Sequence, residues 1–287
     1  CHRRGKINFL LLMRFPLAAP IKSETMTRMR ILTVILLGSI SLACAQEMKT
    51  GFLQREIKIN DQTYCYQVFI PQHFTPAKKW PVILFLHGAG ERGADCERQA
   101  QVGLGPAIRK QIESFPAIVV LPQCRQDSVW IGKMEESALA ALDKTIKDFN
   151  GDTQRIYLTG LSMGGYGAWY LASRHPQKFA AVAPVCGGII PPPSRLFPRY
   201  ALNHIPKDKP YETIAQKIGK MPVWIFHGEA DPVIRVTESR EMNAALRALG
   251  GKVKYTEYPG VGHNSWDNAY AEPEFWRWLW AQRRKSN

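Results

Sequence analysis

The sequence predicts an α/β fold in which a mostly parallel sheet is covered by helices on both faces. Apolar, strand-like runs alternate with helical patterns from residue 80 onward, which is the order that a parallel sheet requires. A Gly-Leu-Ser-Met-Gly pentapeptide lies between one of these strands and the helix after it. An acid and a histidine then follow two later strands. These observations place polar side chains together at the carboxyl edge of the sheet.

The individual elements follow from hydrophobic periodicity and from breaks at glycine and proline. An opening hairpin is expected to turn around Asn60, Asp61 and Gln62. The predicted strands are 55–60, 63–71, 80–86, 117–122, 155–159, 180–185, 222–227 and 252–258. The predicted helices are 97–113, 134–149, 163–174, 236–249 and 268–283. The proline-rich segment 188–220 is interpreted as irregular, and it is either a partial lid or a surface excursion.

The amino-terminal part of the chain is interpreted as lying outside the folded domain. Residues 1–25 precede the first methionine of a signal-like pattern and are expected to be a non-native upstream segment. Residues 26–45 combine a short basic region, an apolar run and a small-residue ending, as a secretory signal does. The apolar run is too short for a transmembrane helix, and a lipid anchor at Cys44 is the alternative. The mature domain is then 46–287, in a secreted or periplasmic protein.

Charge and cysteine usage restrict the classes of partner. The formal net charge of +14 could favour anionic polymers, although a solvated surface is the simpler interpretation. No basic tract alternates with aromatic residues, so a nucleic-acid partner is not expected. No CxxC or HExxH pattern predicts a metal site. A bridge between Cys96 and Cys124 is one pairing that the pattern allows, whereas Cys65 and Cys186 are expected to be small buried side chains.

The pentapeptide at 160–164 predicts a strained turn that presents Ser162 as a nucleophile. Strand and helix nearly touch at such a turn, so Gly160 and Gly164 are needed where a side chain would collide. The hydroxyl then projects from the carboxyl edge of the sheet, where a general base can reach it.

A base and an acid are expected to follow the nucleophile in the order acid, then histidine. Asp231 lies in the loop after the strand 222–227, and His263 lies in a glycine-rich loop after the strand 252–258. Both loops leave the sheet at its carboxyl edge, so we expect the two side chains to meet the serine there. The residues weighed against them are the histidines His87 and His227 and the acids Asp267 and Glu229. His87 is expected to brace the loop after strand 80–86 by hydrogen bonds, and His227 is expected to support the acid loop.

Two further groups of residues are expected around the reacting carbonyl. The loop after strand 80–86 reads His-Gly-Ala-Gly, and its Ala89 N–H, or alternatively that of Gly90, is expected to bind an oxyanion together with Met163 N–H. The side chains that we expect to line the substrate pocket are Trp130, Trp266 and His87.

These motifs carry a resemblance to a known family. The segments 84–93, 121–124, 157–167 and 260–266 resemble α/β-hydrolases of the secreted esterase group, often labelled predicted peptidase or phospholipase/carboxylesterase-like. The chain is also similar to feruloyl and acetylxylan esterases. The resemblance implies a Ser-Asp-His serine hydrolase that cleaves a small-molecule or polysaccharide-linked ester through an acyl-enzyme, without cofactor or metal. The alternatives are a feruloyl- or acetylxylan-type polysaccharide esterase, a serine peptidase and a catalytically inactive binding module.

Overall fold

An eight-stranded sheet organises the fold. The computed structural model describes residues 49–192, 204 and 206–284. The strands are β1 (Gly51–Ile59), β2 (Gln62–Ile70), β3 (Trp80–Leu86), β4 (Ile118–Pro122), β5 (Gly151–Leu161), β6 (Ala181–Val185), β7 (Val223–Gly228) and β8 (Val253–Tyr258). Their spatial order is β1-β2-β4-β3-β5-β6-β7-β8.

The direction of the strands brings the polar loops to one edge. β1 pairs with β2, and β2 with β4, in antiparallel fashion, whereas all the pairings from β4 through β8 are parallel. Every residue of β3, β4, β6 and β7 is buried, as expected of strands with helices on both faces. The structure therefore confirms the predicted mostly parallel α/β fold.

Seven α-helices accompany the sheet in the described ranges. They are α1 (Leu104–Arg109), α2 (Lys133–Asp148), α3 (Met163–Arg174), α4 (Pro210–Ile218), α5 (Thr237–Ala248), α6 (Trp266–Ala271) and α7 (Pro273–Ala281). Within the same part of the chain, no helix has both the length and the hydropathy that would let it cross a membrane.

Two predicted helices differ from the observed ones. The segment 97–113 holds only a short 3₁₀ turn and the six-residue α1, because Gly103 takes a φ of +67° that interrupts the helix. The segment 268–283 is split into α6 and α7. Pro273 causes the break, since the residue before a proline is displaced from the helical region and Glu272 has a ψ of 115°.

The segment 188–220 was expected to be irregular, but it contains α4, which begins at Pro210. Proline is favoured in the first turn of a helix because the N–H that it lacks has no helical partner there. Ile214, Ala215 and Ile218 are the buried residues of this helix. The lid function of the segment stays a prediction. The upstream segment 1–25 and the signal 26–45 lie outside the described residues.

A disulfide joins the second strand to the loop after the third. Cys65 of β2 is bonded to Cys96, with the two Cα atoms 5.6 Å apart. The pairing of Cys96 with Cys124 is therefore wrong, as is the expectation that Cys65 is only a small buried side chain. Cys124 is a free, buried cysteine, and so is Cys186, as expected. A hydrogen bond also holds the loop that carries Cys96, because the side-chain Oε1 of Gln123 accepts the Cys96 N–H at 2.8 Å.

Candidate active site

Ser162 stands between β5 and α3 in a backbone conformation that side chains rarely adopt. Its φ is 54° and its ψ is −118°, and its N–H donates to Val185 O at 3.0 Å. The strained turn between strand and helix is therefore present. The side chain is partly exposed at the carboxyl edge of the sheet, where a substrate carbonyl could approach it.

Three side chains that the sequence places far apart form one hydrogen-bonded row. His263 Nε2 lies 3.0 Å from Ser162 Oγ, and His263 Nδ1 lies 2.7 Å from Asp231 Oδ2. Because an ionised carboxylate only accepts hydrogen bonds, the imidazole proton is on Nδ1, and Nε2 accepts the serine hydroxyl. A serine in this arrangement can transfer its proton to the imidazole when it attacks a carbonyl.

Asp231 is fully buried as a side chain and has several donors. Its Oδ1 accepts the N–H groups of Val233 at 2.8 Å and Ile234 at 2.9 Å, and its Oδ2 faces His227 and His263. Burial alone would raise the pKa of the carboxyl, but these hydrogen bonds outweigh it and hold the pKa well below its usual range. The carboxylate is therefore charged where it meets His263.

His227 lies where its place shortly before Asp231 in the sequence predicted, against the loop that carries the acid. Its imidazole is buried behind Asp231, with Nε2 3.0 Å from Ile234 O and 3.2 Å from Asp231 Oδ2. Both of those oxygens are acceptors, so Nε2 carries a proton, and Ser239 Oγ donates to Nδ1 at 2.7 Å. His227 thus supports the acid and does not face the serine. The spacing of four residues between His227 and Asp231 is the sequence feature that predicts this contact.

The two acids that were weighed against Asp231 lie outside the hydrogen-bonded row. Asp267 is exposed, and its Oδ2 accepts from Asn264 Nδ2 at 2.8 Å. Glu229 is also exposed, and its Oε2 accepts the Gly260 N–H at 3.0 Å. Each of these carboxylates is held by its own loop, and the acid hydrogen-bonded to His263 is Asp231.

The loop after β3 lies against the turn that holds the serine. A Cβ placed on Gly88 would be 3.6 Å from the Cβ of Ser162 and 2.9 Å from a methyl of Leu161. Ala89 begins a short 3₁₀ helix and Met163 begins α3. The first N–H groups of a helix have no partner within it. The loop thus passes close to Ser162, and the oxyanion role of the Met163 N–H and of the Ala89 or Gly90 N–H stays a prediction.

His87 braces this loop and does not line a pocket. Its ring is buried, with Nε2 accepting the Cys124 N–H at 2.9 Å and Nδ1 lying 2.6 Å from Gly88 O. Trp130 Nε1 donates to the His87 carbonyl at 3.0 Å. Because both ring nitrogens are engaged, no polar atom of the ring is left for a substrate, and the expected pocket role of His87 is corrected.

The buried imidazole should make folding stability depend on pH. Burial lowers the pKa of His87 to about 4, below its ordinary 6.5. Between these two values the unfolded chain binds a proton that the fold excludes. The stabilisation that follows from keeping His87 neutral is therefore complete above pH 6.5 and is lost as the pH falls towards 4. The total loss in the free energy of unfolding is about 3 kcal/mol. Urea unfolding at several pH values should show this loss in the parent and not in His87→Gln.

A matched control separates this effect from general acid denaturation. His73 is an exposed histidine, so His73→Gln should keep the parental pH dependence. If His87→Gln loses stability in acid as steeply as the parent does, the buried imidazole is not the group responsible.

An apolar cavity of about 70 Å³ lies against α3. The residues lining it include Trp130, Met163, Tyr166, Trp169, Tyr170, Ile189, Pro191, His204, Pro206 and Ile214. Trp130, one of the side chains expected to line a substrate pocket, is among these residues. The wall opposite α3 comes from the described parts of the segment 188–220. Met163 directly follows Ser162 and is among the lining residues, so the cavity reaches the residue next to the serine.

Trp266 packs against His263. Its ring is 5.5 Å from the His263 ring, centroid to centroid and edge to face, and it is partly exposed. The structure therefore places Trp266 beside His263 and outside the set of residues that line the cavity, and its role in a substrate pocket stays a prediction.

The chain matches a known protein family over the region that carries the site. A family model described as "Dienelactone hydrolase family" matches residues 109–273. That range contains Ser162, Asp231 and His263. It therefore includes both the turn after β5 and the loops after β7 and β8.

Individual relatives and solved structures are also similar to the chain. An "Uncharacterized secreted protein" of Arthroderma benhamiae is 29% identical over 210 residues, which are 64% of this chain and 21% of that protein. A thermostable esterase has a TM-score of 0.69 at 32% identity, covering 81% of this chain and 63% of that one. A ferulic acid esterase has a TM-score of 0.62 at 20% identity, covering 82% of this chain and 99% of that one, and this likeness concerns the fold.

The chain thus spans about a fifth of that fungal relative and less than two thirds of the thermostable esterase. Family membership rests on the match to more than half of the chain, together with the α/β architecture around the serine turn. The chain belongs to the dienelactone hydrolase family of α/β-hydrolases.

Proposed function

We propose that the protein hydrolyses carboxylic esters with Ser162 as its nucleophile. The observation that carries this proposal is the continuous row from Ser162 Oγ through His263 to Asp231, with atom separations of 3.0 and 2.7 Å. A serine hydroxyl is a weak nucleophile unless a base takes its proton, and this row supplies the base and the group that orients it.

The reaction follows from the atoms in the row. Ser162 Oγ attacks the ester carbonyl while His263 Nε2 takes its proton and returns it to the leaving alcohol. Asp231 stabilises the resulting imidazolium. The N–H groups of Met163 and Ala89, or alternatively Gly90, bind the oxyanion. A water molecule activated by His263 then releases the acid from the acyl-enzyme, and no step calls for a cofactor.

The apolar cavity along α3 favours an apolar or aromatic acyl group. Trp130, Tyr166 and Tyr170 supply aromatic surface to it, and Met163 connects it to the serine turn. Such walls suit aryl esters. We therefore keep small-molecule aryl esters and feruloyl or acetyl groups on polysaccharides as the substrate classes to test. A peptidase on the same row and an inactive binding module are the competing functions.

We also propose that the protein acts outside the cytoplasm, secreted or in the periplasm. The signal-like pattern at 26–45 motivates this, and the disulfide between Cys65 and Cys96 supports it. Structural disulfides persist in oxidising compartments and are rare in the cytosol.

Replacing Ser162 by alanine should lower ester hydrolysis by at least about 10⁴-fold, because no other hydroxyl faces His263 Nε2 in the described structure. The measurement uses p-nitrophenyl esters from acetate to palmitate, methyl ferulate and a peptide p-nitroanilide. A fluorophosphonate probe should label the parent and leave Ser162→Ala unlabelled.

Ser173→Ala is the matched control. This serine lies on the same helix, α3, and its hydroxyl donates to Tyr170 O at 2.9 Å, so activity and labelling should be unchanged. A Ser162→Ala variant that still hydrolyses or is still labelled would contradict the proposal. Labelling without hydrolysis of any ester would favour the peptidase, and no labelling at all would favour the binding module.

A further inference from the structure

A free cysteine lies directly behind the row of site residues. Cys186 follows β6, the strand next to the one that leads to Ser162. It is fully buried, with a φ of 38°, and its N–H donates to Phe226 O at 2.8 Å. This hydrogen bond to β7 holds the cysteine between the loops that carry the serine and the acid. The reaction proposed above makes no use of its thiol.

Cys186 forms a cluster of potential metal ligands with two members of the row. Its Sγ, a carboxylate oxygen of Asp231 and a ring nitrogen of His263 all lie within 4.8 Å of one another. The buried Ser265 hydroxyl lies beside the same thiol. The cluster therefore combines a sulfur, a nitrogen and an oxygen ligand with a buried hydroxyl next to them.

We propose that Cys186, Asp231 and His263 form a binding site for a thiophilic divalent cation such as Zn²⁺, and that occupation of this site switches the hydrolase off. The inhibitory half of this inference rests on the proposed function. The binding half does not.

A tetrahedral zinc ion sets the distances that the three ligand atoms must adopt. Zn–S bonds of about 2.3 Å and Zn–N bonds of about 2.0 Å separate sulfur and nitrogen ligands by about 3.5 Å. The three ligand atoms lie within 4.8 Å of one another, and the 2.7 Å contact between His263 and Asp231 has to open for an ion to bind between them. The Ser265 hydroxyl or a water molecule completes the coordination.

Entry of the cation depends on His263. The side chain of His263 is 20% exposed, whereas that of Asp231 is fully buried, so a cation reaches the cluster past the imidazole ring. The thiol decides which cations bind. Mg²⁺ prefers oxygen ligands in an octahedral arrangement, while Zn²⁺ binds cysteine sulfur and histidine nitrogen well.

Proton positions explain why binding would inactivate the enzyme. The cation replaces the proton on His263 Nδ1, and that proton moves to Nε2, which faces Ser162 Oγ at 3.0 Å. A neutral imidazole with its proton on Nε2 offers Ser162 no acceptor. The thiol loses its proton to solvent as the sulfur binds the cation. One proton is therefore released for each ion bound, and the fold is retained.

The test measures binding and inhibition separately. Equilibrium dialysis against Zn²⁺ should find one ion per chain in the parent, with one proton released per ion in weakly buffered solution. Cys186→Ala should raise the Zn²⁺ concentration needed for binding and for half-inhibition by at least about tenfold. Mg²⁺ should neither bind nor inhibit, and a chelator should restore activity.

Cys124→Ala is the matched control, because Cys124 is the other free, buried cysteine and lies outside the cluster. It should bind Zn²⁺ as the parent does. Cys186→Ser replaces the alanine variant if that one does not fold. Equal Zn²⁺ binding by the parent and the Cys186 variants would overturn the site. Binding that depends on Cys186 without inhibition of a working esterase would overturn the switch. If the parent hydrolyses no ester, the proposed function fails, while dialysis and proton release still decide the site.

Discussion

Replacing Asp231 by asparagine is expected to lower kcat/KM for ester hydrolysis by about 10⁴-fold while the fold stays intact. The reason lies in the donors around this side chain. Oδ1 accepts two backbone N–H groups, from Val233 and Ile234. The amide oxygen of an asparagine must take that position, because its NH₂ group cannot accept them.

The amide nitrogen then occupies the position of Oδ2, opposite His263 Nδ1. A donor in this place forces the imidazole proton onto Nε2, where it meets the hydroxyl of Ser162 and leaves no acceptor for the serine proton. His227 Nε2, which lies 3.2 Å from Oδ2, would also face a donor. The expected loss therefore comes from the wrong tautomer of His263 and not from a displaced loop.

Steady-state kinetics on the best p-nitrophenyl ester and a circular dichroism spectrum measure this loss. Asp267→Asn is the matched control: its carboxylate is exposed and hydrogen-bonded to Asn264, so the same change should leave kcat/KM within about twofold of the parent. If Asp267→Asn is the variant that loses activity and Asp231→Asn is not, the acid has been assigned to the wrong loop.

Local signals were sufficient for the parallel sheet and for the placement of the row. The strands β3 and β7 are apolar throughout and buried on both faces, so their pattern is readable without tertiary information. Ser162 stands at the end of a strand, and Asp231 and His263 lie in loops just beyond two others. Chain order and parallel topology together predicted that these loops meet, although the roles assigned to the residues stay predictions.

Other features depend on contacts that no local pattern records. Cys96 is bonded to Cys65 because β2 pairs with β4 in antiparallel fashion and brings Cys65 to the loop. That pairing follows the sheet order and not the spacing of cysteines. The place of His87 behind its loop depends on the Cys124 N–H, which is distant in sequence. α4 went unrecognised because the prolines before it dominated the pattern.

Replacing Gly164 by alanine is expected to destabilise the fold by about 3 kcal/mol or more and to abolish most of the activity. A Cβ at this position would lie 1.9 Å from Leu86 O and 2.7 Å from His87 O. Both atoms belong to the backbone, so no side-chain rotation can relieve the contact. The start of α3 would have to move away from the end of β3.

That movement would also open the site. Leu86 and His87 lead into the loop that carries Ala89, and α3 begins with Met163. Separating the two elements by the distance that a methyl group needs would pull the expected oxyanion donors apart. Activity should therefore fall further than the lost stability explains, and it should stay low at temperatures where the variant remains folded.

Urea unfolding and kinetics on the folded variant test both halves of this prediction, with Gly262→Ala as the control for stability. A Cβ on Gly262 would meet no atom within 4 Å, so this change should alter the free energy of unfolding by no more than about 1 kcal/mol. A Gly164→Ala protein as stable as the parent would mean that α3 can move off β3 at little cost. The requirement for glycine would then rest on Gly160 alone, where a Cβ would lie 2.3 Å from Gly164 O.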